Sequence, residues 1–134
     1  MSLETINATL LDLKPEDLLL DLGSGEGRHT ISFGLSQKIT AIGLDLSHAD
    51  LKTATERLSD FEDLSCEQSP RVCFTQGSGN QLPFQDQQFN KVVCSEVLEH
   101  IHDYQAFLRE IKRVIRPGGV FAVSVPAAFP EWVC

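Results

Sequence analysis

The stretch Leu18-Leu19-Leu20-Asp21-Leu22-Gly23-Ser24-Gly25-Glu26-Gly27-Arg28 decides the fold of this chain. It begins with an apolar run of strand length, which ends in an acid and continues into a turn rich in glycine. The glycines allow positive φ angles and let a ligand approach the main chain closely. Residues 28–35 have the pattern of a helix whose N-terminus points back at the turn. The stretch therefore predicts a strand, a loop and a helix that together bind a nucleotide cofactor.

The spacing of the glycines indicates which cofactor this is. A dinucleotide-binding turn has the pattern G-x-G-x-x-G, and its third glycine would fall at Arg28. An NAD-dependent oxidoreductase is therefore disfavoured. The chain has the pattern D-x-G-x-G-x-G, in which Asp21 would repel a pyrophosphate but would suit an ammonium or sulfonium group, as in S-adenosylmethionine (SAM). A glycine turn with a purely structural role is the alternative at this point.

Strands and helices alternate along the rest of the chain. Five apolar runs are predicted as strands: Leu18–Leu22, Ile39–Asp45, Arg71–Gln76, Lys91–Cys94 and Val120–Val125. Helices are predicted near residues 3–11, from about Arg28, and after an N-cap at Ser47. The last helix has an apolar side formed by Tyr104, Phe107, Leu108, Ile111, Val114 and Ile115. With a loop over residues 62–70 and a turn at Arg116–Gly119, this pattern predicts an α/β fold with a doubly wound, mainly parallel sheet.

Composition and charge exclude several classes of protein. The 134 residues suffice for one buried core, and the net charge of −8 argues against binding to nucleic acid or to an anionic membrane surface. The sequence contains no apolar segment of membrane-spanning length, and its first residues lack the features of a secretion signal. A cytoplasmic protein with reduced thiols is expected, because the spacing of the cysteines fits neither a zinc site nor a disulfide framework: Cys66, Cys73, Cys94 and Cys134.

Polar side chains follow the predicted strands at one edge of the sheet. In a parallel sheet, ligands bind at the carboxyl ends of the strands, near the point where the strand order reverses. Asp21, Asp45, Ser78 and Ser95 lie at or just after those ends. Asp45 lies 22 residues after Gly23, close to the ~20 expected of an acid that accepts hydrogen bonds from ribose hydroxyls. Its alternative role is that of an acid at the start of a helix, where the helix dipole favours it.

The order of these motifs resembles that of class I SAM-dependent methyltransferases over residues 15–126. The glycine stretch is similar to the first motif of that family. Gly77–Phe84 is similar to the adenine-side motif G-D-A-x-x-L-P-F, with Ser78 in place of the acid. Phe89–Ile101 is similar to the fourth motif, F-D-x-V-x-x-x-x-V-L-E-H, with Asn90 in place of the acid, and residues 116–119 are similar to the fifth. The likeness is greatest to small-molecule methyltransferases, which include enzymes of ubiquinone and menaquinone biosynthesis.

The resemblance implies a Rossmann-like sheet with strand order 3-2-1-4-5, SAM as the cofactor, and methyl transfer to a small-molecule acceptor. A non-catalytic SAM-binding or interaction module is the alternative function. Neither nucleic acid nor membrane insertion is implied. The implied cofactor contacts come from all of the motifs: Asp21, Gly23, Ser24, Gly25, Gly27, Asp45, Leu46, Ser78, Gly79, Asn80 and Ser95.

Histidines and glutamates after the fourth strand are the candidates for further chemistry. A general base is required only if the acceptor must lose a proton. His100 is the first candidate for this base, and His29 and His102 are the next. Glu96, Glu99 and His100 have the i, i+3, i+4 spacing that could ligate one divalent ion. Members of the family without metal contain the same E-V-L-E-H sequence, and no metal is predicted.

The resemblance ends soon after the fifth strand. The sheet of the family has seven strands, so residues 1–134 are expected to form a single SAM-binding domain that is incomplete at its C-terminal end and lacks the last two strands. The fifth strand would then be an exposed edge, which favours self-association. The acceptor pocket is expected to be incomplete for the same reason.

Overall fold

The computed structural model describes residues 11–36, 39–62, 71–95 and 103–124. All strand pairings are parallel, and the strand order is β3-β2-β1-β4-β5. The predicted α/β fold and its strand order are therefore confirmed. Residues 3–10 of the predicted first helix and residues 63–70 of the predicted loop lie outside the described ranges. The elements are β1 (Leu18–Leu22), α1 (Arg28–Ser36), β2 (Thr40–Asp45), α2 (His48–Glu62), β3 (Arg71–Gln76), β4 (Phe89–Ser95), α3 (Tyr104–Val114) and β5 (Ile115–Ser124).

β1 lies at the centre of the sheet and is buried on both faces. Leu20 and Leu22 belong to the core cluster that contains Phe107 of α3. Leu19, which points to the other face, belongs to a second cluster that contains Phe33 of α1. Because both faces of the strand are covered, its sequence is a continuous apolar run rather than an alternating one.

The strand order reverses at β1. In an open parallel sheet, such a reversal is where a ligand-binding crevice forms. The chain adds β2 and β3 on one side of β1 and then returns to add β4 and β5 on the other. At the end of β1, Leu22 is paired with Leu44 of β2 and with Cys94 of β4. The carboxyl ends of the strands form one boundary of the sheet, called the carboxyl edge below, and α1 and α2 begin there.

The fifth strand begins earlier than predicted. Ile115, predicted on the apolar side of the last helix, has an extended backbone and is the first residue of β5, while its N–H still bonds the carbonyl of Ile111. Pro117 lies two residues further on and cannot continue the helix. The predicted turn at residues 116–119 is an irregularity within the strand, because Phe89 pairs with Ile115 whereas Lys91 pairs with Val120. The predicted boundary at Val120 was therefore wrong.

Asn90 ties β4 to the first residue of β1. Its side-chain oxygen accepts a hydrogen bond from the backbone N–H of Leu18 at 2.8 Å. The related motif has an acid at this position, but the contact needs only an acceptor, which an amide oxygen supplies. β4 also extends beyond the predicted strand at both ends, from Phe89 to Ser95.

The predictions about self-association and membrane insertion concern β5 and the helices. β5 pairs with β4 alone among the described strands, and self-association through β5 stays a prediction. Within the described ranges, the helices are all too short or too polar to cross a membrane.

Candidate functional site

The glycine turn, residues 23–27, is held against the end of β2. The backbone N–H groups of Gly23 and Ser24 both donate to the carbonyl of Leu44, at 2.8 and 3.0 Å. Gly27 then donates to the carbonyl of Ser24 at 2.9 Å. Positive φ angles of 74°, 54° and 85° at Gly23, Gly25 and Gly27 make this path possible. The three glycines predicted from the sequence are therefore required by the backbone of the turn.

Two glycines of the turn differ in what surrounds them. A methyl group at position 27 would lie 2.7 Å from Cζ of Phe74 and 2.8 Å from Cβ of Ala54, so packing excludes any side chain there. At Gly25, by contrast, no described heavy atom outside the glycine and its two chain neighbours lies within 4 Å of the corresponding position. The side of the turn at Gly27 is therefore packed against Phe74 and Ala54, whereas the side at Gly25 is open.

Asp45 joins the glycine turn to the start of α2. Its Oδ2 accepts a hydrogen bond from the N–H of Gly25 at 2.8 Å, and its Oδ1 accepts one from the N–H of Ser47 at 2.8 Å. Ser47 in turn accepts from the N–H of Asp50 at 3.1 Å, which confirms the predicted N-cap. Each oxygen of a carboxylate can accept more than one hydrogen bond, so Asp45 retains capacity for a ligand.

Asp21 is a buried acid beneath the glycine turn. The residue is 2% exposed, and its Oδ2 accepts a hydrogen bond from the hydroxyl of Thr30 at 2.6 Å. Burial raises the pKa of Asp21 to about 7, the Thr30 hydrogen bond opposes that rise, and the charge of Asp45 adds to it. A buried acid that titrates near neutral pH at the carboxyl edge is a candidate functional group.

The segment after β3 is joined to the segment after β2. Gly77 donates its N–H to the carbonyl of Asp45 at 3.0 Å, and the side-chain amide of Gln76 donates to the carbonyl of Leu46 at 3.0 Å. Leu46 itself is 69% exposed beside these bonds. The hydroxyl oxygen of Ser78 accepts from the N–H of Asn80 at 3.1 Å, which leaves the hydroxyl proton available to a ligand.

The structure therefore brings most of the predicted site residues to the carboxyl edge. Ser95 ends β4 at the same edge, and its side chain lies outside the described structure. Among the histidines, His29 lies in the first turn of α1. The described residues contain no group of three metal-ligating side chains. The remaining candidates for a base or a metal ligand lie outside the described ranges: Glu96, Glu99, His100 and His102.

Three contributors to the site were not predicted. Thr30 contacts Asp21, and the ring of Phe74 lies against Gly27. Arg57 of α2 donates to the carbonyl of Glu26 in the glycine turn at 3.0 Å. A hydroxyl in the first helical turn after a strand-end acid could have indicated Thr30. The other two contacts join distant parts of the chain, and no local pattern indicates them.

Comparison with known proteins identifies a family that matches this chain and several similar proteins. Residues 20–123 match the family described as methyltransferase domain. The 27-O-demethylrifamycin SV methyltransferase of Amycolatopsis mediterranei is 31% identical in an alignment of 119 residues, which covers 87% of this chain and 41% of that protein. The demethylmenaquinone methyltransferase of Corynebacterium glutamicum is 34% identical over 114 residues, which are 85% of this chain and 44% of that protein.

A solved structure shares the fold of this chain. The YcgJ protein of Bacillus subtilis superposes with a TM-score of 0.76 at 25% identity, covering 86% of this chain and 46% of that one. The chain thus spans less than half the length of these relatives.

Proposed function

The chain belongs to the methyltransferase-domain family, and we propose that it binds SAM at the carboxyl edge and transfers the methyl group to a small-molecule acceptor. The observation that carries the proposal is a glycine turn that is open at Gly25 and is flanked by two carboxyl groups, Asp21 and Asp45. A dinucleotide would bring a pyrophosphate towards Asp21, whose charged form would repel it, whereas Asp45 would suit the ribose of either cofactor. SAM brings a cation and a ribose, and both suit carboxylates.

The residues around the turn fit the methionine end of the cofactor. The buried hydroxyl of Ser24 has no hydrogen-bond partner among the described residues. No ion pair of the described structure involves Asp21, so burial of its negative charge is not offset by a protein cation. An ammonium or sulfonium group nearby would favour the charged form of Asp21 and would lower its pKa again.

The residues after β2 and β3 fit the nucleoside end. Asp45 would accept hydrogen bonds from the ribose hydroxyls with the capacity that its two backbone contacts leave free. Leu46, exposed beside the loop, would cover a face of the adenine ring. Ser78 would donate its free proton to a ring nitrogen of adenine, flanked by Gly79 and Asn80. A carboxylate at position 78, as in the related motif, could only accept.

Methyl transfer requires little acid–base chemistry from the chain. When bound, SAM supplies a methyl group on a sulfonium, which is already activated for transfer. The contribution of the residues is to hold the cofactor in line with the acceptor, which removes a large entropic part of the barrier. Asp21 would attract the cationic sulfonium and not the neutral thioether that remains after transfer, so its charge favours exchange of product for fresh cofactor. His100 is the proposed base where an acceptor must lose a proton.

The names of the relatives support a small organic acceptor. One is named for a demethylated rifamycin and the other for demethylmenaquinone. An assay with radiolabelled SAM and demethylmenaquinone as a probe tests the transfer step. SAM binding without transfer to such acceptors would favour the non-catalytic module instead.

Replacement of Asp45 by Asn is the sharpest test of the nucleoside end. An amide has one acceptor oxygen in place of two, so contacts to Gly25, Ser47 and the ribose cannot all be kept. We expect the affinity for S-adenosylhomocysteine to fall about 10- to 100-fold, the loss of roughly 1.5–3 kcal/mol typical of hydrogen bonds to a charged group. Isothermal titration calorimetry measures this change.

The matched control is Asp60→Asn, on an exposed position of the same helix that begins after Asp45. This variant removes one negative charge without touching the turn, so its affinity should equal that of the unaltered protein. If both variants bind S-adenosylhomocysteine with equal affinity, Asp45 only shapes the loop and the start of the helix.

A further inference from the structure

The loop between β3 and β4, residues 77–88, is attached to α3 through several hydrogen bonds of one arginine, Arg113. The guanidinium of Arg113 donates to the carbonyls of Phe84 and Leu82, at 2.8 and 3.0 Å, and to the carboxylate of Asp86 at 2.8 Å. The backbone carbonyl of Arg113 also accepts from the N–H of Gln87 at 2.8 Å. A single residue of α3 therefore contacts four residues of the loop.

Glu110, one turn earlier on α3, holds both the arginine and the loop. Its Oε2 accepts from Nε of Arg113 at 2.8 Å, and its Oε1 accepts from Nη2 of Arg113 at 3.0 Å. The same Oε1 accepts from the N–H of Leu82 at 2.7 Å. The Arg113 guanidinium holds the pKa of Glu110 below its usual range, so the carboxylate is charged at neutral pH. The two hydrogen bonds from Nε and Nη2 to the carboxylate of Glu110 fix the orientation of the planar guanidinium, and a lysine could not make this pair of bonds.

α3 also contacts the start of the loop. A methyl group at Gly79 would lie 2.9 Å from ring atoms of Phe107, so this segment rests directly on the helix. Phe107 and Leu82 are both buried and belong to the same core cluster. Contacts from Phe107, Glu110 and Arg113 thus run along one side of α3 and fix the loop from Gly79 to Gln87.

We propose that Arg113 and Glu110 are positioning residues for the purine subsite, acting through the loop that carries Ser78, Gly79 and Asn80. This inference rests on the proposed function, because it assumes that those residues contact the adenine of SAM. Neither charged side chain needs to touch the cofactor. A loop ordered in advance does not lose conformational freedom when the ligand binds, and the affinity is correspondingly higher.

A comparison of two ligands separates positioning of the purine subsite from general stability. S-Inosylhomocysteine differs from S-adenosylhomocysteine only at the purine, where the ring nitrogen next to the exocyclic group carries a proton and cannot accept from Ser78. The unaltered protein should therefore bind S-adenosylhomocysteine more tightly. In Arg113→Lys the charge remains but the fork is lost. We expect the affinity for S-adenosylhomocysteine to fall at least tenfold and that for S-inosylhomocysteine no more than threefold.

Two arginine-to-lysine variants serve as controls in the same titrations. Arg57→Lys loosens the contact to Glu26 in the glycine turn, so both ligands should weaken by the same factor and their ratio should stay constant. Arg71→Lys alters an exposed ion pair with Glu16 at the opposite edge of the sheet and should change neither affinity. If Arg113→Lys does not fold, Glu110→Gln weakens the same contacts more mildly and should shift the ratio in the same direction.

The outcomes distinguish this proposal from the one on which it rests. Failure of the unaltered protein to bind S-adenosylhomocysteine would overturn the proposed function and the positioning role with it. Tight binding of that ligand, with an unchanged ratio of the two affinities in Arg113→Lys, would overturn the positioning role alone. Equal binding of both ligands by the unaltered protein would do the same, because the loop would then not distinguish purines.

Discussion

Replacing Asp21 with Asn is expected to stabilise the cofactor-free protein above pH 7 and, in the same variant, to weaken the binding of SAM. Asp21 is 2% exposed, and burial raises the pKa of its carboxyl from 3.8 to about 7. The folded protein therefore binds a proton in a range of pH where the unfolded chain has released it. Asparagine can still accept the hydrogen bond from Thr30, but it carries no charge that must be buried.

The effect on stability has a defined sign and pH window. Because the pKa of Asp21 is raised in the folded state, the free energy of unfolding of the cofactor-free protein falls as pH rises from about 4 to about 7. Above pH 7 the full cost of the buried charge is present. At pH 8 the Asp21→Asn variant should be more stable by roughly 2–4 kcal/mol, whereas at pH 4 the two proteins should differ little. Urea unfolding at several pH values measures the difference.

The effect on binding has the opposite sign. A bound cation favours the charged form of Asp21, so SAM affinity of the unaltered protein should decrease as pH falls below about 7. The Asp21→Asn variant should bind at least tenfold more weakly at pH 8 and should lose this pH dependence. Thr30→Val removes the hydrogen bond that lowers the pKa, so it should move the pH dependence upward. A variant at position 21 that is less stable at pH 8 and binds SAM normally would show that the acid serves packing alone.

Alanine at two positions of the glycine turn should have two different consequences. Gly27→Ala places a methyl group 2.7 Å from the ring of Phe74 at a φ of 85°, and the combined overpacking and backbone strain should destabilise the fold by roughly 2–5 kcal/mol. Gly25→Ala places its methyl group in open space at a φ of 54°, so the strain of about 1–2 kcal/mol should leave the protein folded. That methyl group occupies the open side of the turn, and binding of SAM should fall about 100-fold or more.

Gly118→Ala is the matched control for strain without contact with the site. Gly118 has a φ of 81°, and no described heavy atom beyond its two chain neighbours would lie within 4 Å of a methyl group there. It lies in the first half of β5, away from the carboxyl edge. This variant should lose about as much stability as Gly25→Ala and bind SAM normally. Thermal unfolding and calorimetry on the three variants give both quantities. Normal SAM affinity in Gly25→Ala would mean that the open side of the turn is not where the cofactor lies.

The central part of the fold was predictable because its determinants are local. Leu18–Leu22 is a continuous apolar run, and such a run is typical of a strand buried on both faces, as β1 is. Ser47 is an N-cap that the structure confirms. The start of β5 was not predictable from the same kind of pattern, because Ile115 continues the apolar side of α3 while its backbone is already extended and paired with Phe89.

The position of the candidate site residues in the fold was predictable from the sequence, and their environment was less so. Strand ends and glycine spacing placed Asp21 and Asp45 at the carboxyl edge, where both lie in the structure. The sequence did not indicate that Asp45 bonds the N–H of Gly25, nor that Asp21 is buried against Thr30 with a raised pKa. It also did not indicate Arg113, whose contacts to the β3–β4 loop join residues about 30 positions apart in the chain. Such contacts depend on the packing of α3, which no local pattern specifies.

The most direct test of the central proposal is a calorimetric titration of the folded protein with S-adenosylhomocysteine and, separately, with NAD. The open glycine turn and the two carboxyl groups predict saturable binding of S-adenosylhomocysteine at one site per chain and no binding of NAD at the same concentrations. Saturable binding of NAD without binding of S-adenosylhomocysteine would contradict the account.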